Sequence, residues 1–275
     1  MIKRREFAGL KHLLQRVVGF ASLLLLLNAR AMGADAPSIS LSTILERAAG
    51  FTSKFLYEFS SVKCSELVTQ AKLGKTGKPE YVEEAAFDYL LLAQVNSGEL
   101  TLTESRLSSK AAKHTRNLPL LVTNGFSTLL LVFHPSYQAG FEFTELPDEV
   151  SPGERLTRIH FRHIHGMRST AVLVLRGREY PLDMQGTAWI HPETGMVARI
   201  SAELEGSMED VGLKALKCEV EYAPVEFHDT HVELWLPMSA EIEVETPRQH
   251  WRNLHRFTSY QKFSTSAESR ISSSQ

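Results

Sequence analysis

Three histidines in one short segment are the residues whose spacing best fits catalytic or metal chemistry. His160, His163 and His165 lie within Arg-Ile-His-Phe-Arg-His-Ile-His. On a strand, His163 and His165 would share one face and His160 would face the other way. Such a pair can supply two ligands to zinc, with a third from His228 or His231. The segment contains no carboxylate to orient the imidazoles, so histidines at the surface or rim of a sheet are the alternative interpretation.

Other catalytic signatures are missing from the sequence. It contains no G-x-S-x-G, H-E-x-x-H or G-x-x-x-x-G-K motif, although the paired carboxylates of a glycosidase would leave no such signature. Glu241, Glu243 and Glu245 alternate along one segment. Alternate carboxylates are typical of the solvated face of a strand, here paired with Arg256 and Lys262 on a neighbour, rather than of a calcium site. We expect no cofactor, and the missing motifs favour a binding protein over an enzyme.

The two cysteines, Cys64 and Cys218, could form one disulfide bond. Two cysteines are too few for a zinc site built from cysteines, and they do not form a C-x-x-C redox motif. A disulfide would join an early strand to a late one. The alternative is a pair of buried free thiols, since cysteine is among the most buried residue types.

The first 31 residues have the pattern of an export signal. A basic stretch precedes an apolar run over residues 17–27, and Ala29-Arg30-Ala31 follows as a cleavage site. The apolar run is shorter than the ~20 residues that a permanent transmembrane helix needs. We therefore expect a mature protein that begins near Met32, is periplasmic or secreted, and has no integral membrane span. The pair Arg4-Arg5 leaves the twin-arginine route open beside the general secretory route.

Cleavage would make the protein acidic. It removes six of the 30 basic residues and one of the 32 acidic residues, which leaves an excess of seven acidic residues. This balance argues against nucleic acid and anionic lipid surfaces as electrostatic partners.

The mature chain begins with a helical pattern and then changes to a strand pattern. Apolar residues follow three- and four-residue steps from Leu41 to Phe59, and Thr43 and Glu46 have the spacing of a capping box. From Val62 onward the period is two. Residues 85–96 and 99–106 flank Asn-Ser-Gly and predict a hairpin, although residues 83–95 could also form a helix. Residues 108–117 predict a surface loop, and residues 126–133 predict a short buried helix that ends before a proline.

The remainder, from residue 139 onward, predicts an antiparallel meander. Its expected strands span residues 155–165, 170–175, 180–190, 196–204, 216–225, 231–236, 239–245 and 253–263, with the sequence His-Pro-Glu-Thr-Gly at residues 191–195 as the clearest turn. Cys218, Val220 and Tyr222 alternate with charged residues, so one face of the sheet is apolar. Residues 171–175 are apolar on both faces and predict a central strand.

A resemblance rests on the segment Gly186 to Gly195, Gly-Thr-Ala-Trp-Ile-His-Pro-Glu-Thr-Gly, and on the Met-Val-Ala-Arg-Ile that follows it. This segment resembles the strand, turn and strand of bacterial envelope proteins of the lipoprotein-carrier (LolA/LolB-like) type. Trp235-Leu-Pro, Tyr260-Gln-Lys-Phe and Cys64 are also similar to a group of secreted bacterial proteins. The resemblance implies an incomplete, curved antiparallel barrel whose open side is covered by helices, with acyl chains held between sheet and helices.

These observations together predict an α+β fold in a single domain over residues 32–265, with a serine-rich disordered tail over residues 266–275. A curved sheet of about 8–11 strands would be covered by the amphipathic helix and the short buried helix. The resemblance implies an apolar ligand, such as a lipid or a lipoprotein acyl chain, lined by Phe126, Leu130, Phe133 and Trp189. An interaction module with a protein partner in the cell envelope is the alternative, and a histidine-based metal hydrolase is a third possibility.

Overall fold

The structure, a computed structural model, describes residues 39–96, 99–108, 123–147, 156–175, 177–227 and 231–262. The predicted export signal and serine-rich tail lie outside the described residues, as does most of the loop expected over residues 108–117. Within the described ranges, no helix combines the length and the apolar character needed to cross a membrane.

Helix α1 spans Leu41–Phe59, as its apolar spacing predicts. Its buried side chains form one stripe: Ile44, Ala48, Thr52, Phe55, Leu56 and Phe59. The helix begins at the N-cap Ser40, whose Oγ accepts a hydrogen bond from the Thr43 backbone N–H at 3.3 Å. The cap therefore lies three residues before the predicted capping box of Thr43 and Glu46.

The described residues form twelve strands and three further short helices. The strands are β1 (Val62–Leu73), β2 (Pro79–Asn96), β3 (Glu99–Ser108), β4 (Phe141–Leu146), β5 (Thr157–His163), β6 (Val172–Leu175), β7 (Arg178–Pro181), β8 (Met184–Ile190), β9 (Val197–Leu204), β10 (Ala215–Phe227), β11 (Val232–Glu245) and β12 (His250–Lys262). The short helices are a 3-10 helix at Phe126–Phe133, α2 at Pro135–Gln138 and a 3-10 turn at Glu209–Val211.

Ten strands form one curved antiparallel sheet in the order β3-β2-β1-β12-β11-β10-β9-β8-β5-β4. The edge strands β3 and β4 do not pair with each other, so the sheet is not closed into a barrel. The pairing of β1 with β12 places Val62 opposite Lys262, so the first and last strands are neighbours in the sheet. This architecture confirms the predicted α+β fold with a curved, incomplete barrel.

Two local interpretations of the sequence have opposite outcomes. The hairpin around residues 97 and 98 is confirmed, because β2 and β3 pair along their length and residues 83–95 are not helical. The central strand predicted at residues 171–175 is wrong. Instead, β6 pairs only with β7 in a separate two-stranded sheet, and Val172 is 45% exposed. The turn at Gly177, with φ of 74°, connects β6 to β7, so this apolar segment pairs with the next strand along the chain.

Two predicted strand boundaries also change. The segments at residues 231–236 and 239–245 are one strand, β11, whose register against β10 shifts opposite Pro237. Proline cannot donate to the strand ladder, so an irregularity at this position is expected. The segment at residues 180–190 is divided between β7 and β8, and the residues between them, Leu182 and Asp183, are outside both strands.

The sheet has an inner face, covered by α1 and the 3-10 helix, and an outer face. Cys218, Val220 and Tyr222 are buried on the inner face, as predicted. On the outer face, the predicted partners of the alternating glutamates are wrong. Their partners are Arg252 for Glu241 at 3.9 Å, His250 for Glu243, and Lys214 for Glu245 at 2.5 Å. Strand register excludes the predicted partners, because Arg256 lies opposite Ser239 and Lys262 lies opposite Val62.

The turn between β8 and β9 packs directly against α1. Gly195 has φ of 74°, and a Cβ added there would lie 2.2 Å from the backbone carbonyl carbon of Arg47. Arg47 in turn donates a hydrogen bond from Nη1 to the carbonyl of Pro192 at 2.7 Å. The turn thus requires glycine both for its backbone conformation and for the close approach of the helix.

The predicted disulfide is wrong, because Cys64 and Cys218 are buried free thiols. They lie on β1 and β10, which are separated by β12 and β11. Adjacent strands are about 4.8 Å apart, so these cysteines are about 14 Å apart along the sheet. A disulfide requires Cα atoms within about 7 Å. The alternative interpretation, two buried thiols, is the one observed.

Candidate functional site

The interior 3-10 helix, Phe126–Phe133, lies between α1 and the inner face of the sheet. It contacts α1 as well as β9, β10 and β11. Gly125, with φ of 85°, precedes it, and an extended His134 ends it before Pro135. Six of its eight residues are apolar, and such a segment must be buried. All of its side chains except that of Phe126 are buried.

The predicted ligand-lining residues occupy two different parts of the molecule. Leu130 and Phe133 are fully buried on the interior 3-10 helix, and Phe126 is half-buried at its start. Trp189 instead lies on the outer face, where the guanidinium of Arg199 stacks over its ring at 3.7 Å. Strand alternation explains this correction, because the neighbours of Trp189 on β8 point inward.

A buried ionic cluster, the Arg106 cluster, lies on the inner face near one end of the interior 3-10 helix. It consists of Glu66 on β1, Glu104 and Arg106 on β3, and His255 on β12. Arg106 donates from Nε and Nη2 to Glu66 at 2.5 and 2.9 Å, and from Nη1 to Glu104 at 2.9 Å. The Nδ1 of His255 lies 2.8 Å from Glu66. The Glu66 side chain is completely buried, which is tolerated only because both oxygens are paired.

The Arg106 cluster also holds the residues that lead into the interior 3-10 helix. Arg106 donates to the carbonyl of Thr123 at 3.2 Å and to Oδ1 of Asn124 at 2.5 Å. Glu104 accepts a hydrogen bond from the Gly125 backbone N–H at 2.7 Å. One turn further, the hydroxyls of Tyr89 and Ser127 form a hydrogen bond of 2.7 Å. Polar contacts thus attach the start of the helix to β2 and β3.

The environment of the Arg106 cluster shifts the pKa values of its members. Desolvation alone would raise the pKa of Glu66, but hydrogen bonds from His255 and Arg106 outweigh it and lower that pKa. For Arg106, the hydrogen bond and charge of Glu66 outweigh desolvation and raise its pKa. Both groups are therefore charged at neutral pH, and the pair is a fixed ionic contact.

The histidine segment contains a carboxylate partner that sequence reasoning missed. Asp183, from the connection between β7 and β8, accepts contacts from Nδ1 of His163 at 2.7 Å and Nδ1 of His165 at 2.6 Å. The strand ends at His163, so the two histidines do not share a strand face: His163 is buried, whereas His165 follows the strand and is exposed. His160 lies on the outer face. The available signal was a polar residue, Asp183, between two strands. Its contact with the histidines could not be predicted, because that contact depends on the pairing of β5 with β8.

The geometry of these histidines does not correspond to a metal centre. In the described ranges, no group of three His, Cys, Asp or Glu residues is arranged to hold a metal ion. His228, one of the proposed third ligands, lies outside those ranges, and His231 lies within them. The Nδ1 atoms of His163 and His165 are instead engaged with Asp183.

A cavity of about 570 Å³ lies on the outer face, across β5, β8, β9, β10 and β11. Its lining mixes polar and apolar residues: His160, Gln185, Gly186, Thr187, Ser201, Ala202, Glu203, Lys217, Cys218, Glu219, Glu241 and Glu243. The lining includes four glutamates and one lysine, and each glutamate has a basic partner: Lys217, Arg199, Arg252 and His250. A cationic ligand would compete with these ion pairs.

No protein-family model matches the chain, and no curated protein matches it either. The fold is similar to solved structures. One is a DUF1329 family protein from Desulfovibrio piger, with a TM-score of 0.42 and 9% identity over 82% of this chain and 94% of the other. Another is a LolA superfamily protein from Nitrosomonas europaea, with a TM-score of 0.40 and 10% identity over 82% of this chain and 95% of the other.

Proposed function

We propose that the protein binds a long apolar molecule in the space that the interior 3-10 helix occupies. The observation that carries this proposal is that an apolar segment with a weak backbone fills the interior. A 3-10 helix has poorer hydrogen-bond geometry than an α-helix, and this one has a non-helical residue at Thr128. Its position therefore depends on side-chain burial, which an apolar ligand of similar shape can replace.

The dimensions of the site suit a single long chain. Eight residues of 3-10 helix at about 2 Å each span about 16 Å. The surrounding surface is apolar on both sides, with Ile44 and Phe55 from α1 facing Ile200 and Val220 of the sheet within one buried cluster. We propose a lipid or the acyl chain of a lipoprotein as the ligand, and Phe126, Leu130 and Phe133 as residues that move with it.

The predicted export signal indicates where this activity would take place. A cleaved N-terminal segment would place the mature protein in the periplasm or outside the cell. There, a lipid carrier would keep an acyl chain out of water during transfer. Sequencing the N-terminus of the mature protein tests this part, and an uncleaved Met1 would contradict it.

Loosening the interior 3-10 helix tests the binding proposal. Tyr89→Phe removes the hydroxyl that holds Ser127, at a net cost of about 0.5–1.5 kcal/mol. If the helix must move before a ligand enters, this change raises the population of the open state and tightens binding of methyl palmitate about 2- to 10-fold. Titration calorimetry on folded samples measures the affinity.

The matched control is Tyr260→Phe. The Tyr260 hydroxyl donates to the carbonyl of Pro237 on β11 at 2.5 Å, rather than to a residue of the interior 3-10 helix. This variant should lose stability without a gain in affinity. If methyl palmitate, phospholipids and acylated peptides all fail to bind folded wild type and Tyr89→Phe, the carrier proposal is wrong.

A charge within the interior gives a second test. Leu130→Asp places a carboxylate at a fully buried position, where an apolar ligand cannot pair it. Binding should be lost, whereas Leu107→Asp, at a position that is 67% exposed, should bind as wild type does. Circular dichroism on the same samples separates loss of binding from loss of folding.

The outer cavity supports a second candidate, contact with an envelope protein partner through the acidic face. The observation in its favour is the set of four carboxylates around one concave surface. A partner held in this way would carry a basic segment, and its affinity would fall with added salt. Binding of an oligolysine peptide that is lost in Glu219→Lys, but kept in Glu80→Lys on β2, would support this candidate.

A further inference from the structure

His163 has a buried ring nitrogen without a hydrogen-bond partner among the described residues. The side chain is fully buried on the inner face at the end of β5, with Nδ1 at 2.7 Å from Asp183. The other nitrogen, Nε2, makes no hydrogen bond. Because the Asp183 carboxylate is an acceptor, Nδ1 carries the proton, and Nε2 of the neutral ring presents a lone pair in the protein interior.

Such an atom needs an explanation, because an unpaired buried polar group costs about 1–3 kcal/mol. Native structures retain few of them, and they are expected where a ligand completes the site.

Aromatic rings connect His163 to the end of the proposed ligand site. The His163 ring is 5.2 Å from that of Phe141, and the Phe141 ring is 6.0 Å from that of Phe161. Phe161 contacts Phe133, the last residue of the interior 3-10 helix, with ring centroids 6.4 Å apart. A ligand chain that continues past Phe133 along these rings would therefore end at His163.

Resting on the function proposed above, we propose that the ligand carries a carboxylic acid at one end of its apolar chain and that Nε2 of His163 binds this group. The O–H of the acid donates to Nε2. If the proton transfers, the acid oxygen loses it, Nε2 gains it, and the resulting imidazolium donates to the carboxylate. Asp183 stabilises that imidazolium through Nδ1.

The available contacts favour an acid over an ester. His163 and His165 share the single carboxylate of Asp183 through their Nδ1 atoms, so Nε2 of His163 remains as the acceptor. The O–H of a carboxylic acid can donate to that nitrogen, whereas an ester has no hydrogen to donate.

Palmitic acid and methyl palmitate test this inference, because they share one chain and differ at the acid group. Titration calorimetry on wild type should show at least tenfold tighter binding of the acid. His163→Phe should bind both molecules with the affinity that wild type has for the ester. His163→Gln, which retains a polar side chain, should keep part of the preference for the acid.

His160→Ala is the matched control, since His160 is on the same strand and faces outward; it should keep the full preference. Thermal unfolding of the same samples checks that each variant is folded. The carboxyl ¹³C signal of labelled palmitate should differ between wild type and His163→Phe, which a purely structural role would not produce.

The outcomes separate the two proposals. Equal affinity of wild type for acid and ester, or an acid preference that persists in His163→Phe, overturns the role of His163 and leaves the carrier function in place. Failure of both molecules to bind folded wild type overturns this inference, and failure of phospholipids and acylated peptides as well overturns the carrier function.

Discussion

Arg106 and Glu66 form a bidentate ion pair inside the protein, with Nε and Nη2 of the arginine 2.5 and 2.9 Å from the two carboxylate oxygens. The pair joins β3 to β1 and, through the other donors of Arg106, to the residues before the interior 3-10 helix. It fixes one end of the proposed ligand site, and its disruption should therefore affect both stability and binding.

Arg106→Met should destabilise the protein by about 3–5 kcal/mol, because Glu66 then remains as a buried charge without its main partner. The double variant Glu66→Leu with Arg106→Met should recover much of this loss, since it removes both charges. Urea unfolding measures each change.

Arg162→Met is the control for that experiment. Arg162 pairs with Glu142 at 2.6 Å, but the two side chains are 48% and 58% exposed, so its removal should cost less than about 1 kcal/mol. Similar losses of unfolding free energy for Arg106→Met and Arg162→Met would show that the buried pair stabilises the protein no more than the exposed pair does.

Gly195→Ala should be clearly more destabilising than Gly77→Ala. Both glycines have positive φ, 74° and 75°, but only Gly195 lies against the backbone of α1. The Gly77 variant carries backbone strain alone, of about 1–2 kcal/mol, whereas the Gly195 variant must also displace the helix. Thermal unfolding of the two variants compares these effects, and equal losses would mean that α1 does not depend on this contact.

The contact between His165 and Asp183 should make stability depend on pH. The hydrogen bond and charge of Asp183 raise the pKa of His165 above its ordinary value of 6.5. The contribution of His165 is therefore complete below pH 6.5 and is lost as the pH rises through the higher folded value. For Asp183, desolvation opposes but does not cancel the hydrogen bonds from His165 and His163, and its pKa falls below 3.8. Its contribution is present above pH 3.8 and is lost in stronger acid.

His165→Ala should accordingly lose more stability relative to wild type at pH 5.5 than at pH 8.5. Urea unfolding midpoints at the two pH values measure this, with His160→Ala on β5 as the control. A loss for His165→Ala that is equal at both pH values would contradict the assignment of the pH dependence to this contact.

Cys64 and Cys218 should not react with thiol reagents in the native protein. Burial raises the pKa of each thiol to about 12, so the reactive thiolate is scarce at neutral pH. Ellman's reagent should detect no thiols in the folded protein and two per chain in guanidinium chloride. If no free thiols were detected after unfolding, the predicted disulfide would be correct.

Local periodicity was sufficient to predict much of the fold. The three- and four-residue steps of α1, the alternation along β1 and β10, and the β2–β3 hairpin all follow from short stretches of sequence. Each of these features needs only a local pattern, because burial on one side imposes a period of 3.6 or 2 on the residues themselves.

Strand order and register decided the rest. Glu66 meets Arg106 and His255 across 40 and 189 residues of sequence, and Asp183 reaches two histidines from a different connection. The separation of Cys64 from Cys218 and the outward direction of Trp189 depend in the same way on the assembled sheet. Such contacts form only when distant strands pair in one register. A local sequence pattern does not indicate which strands will be neighbours.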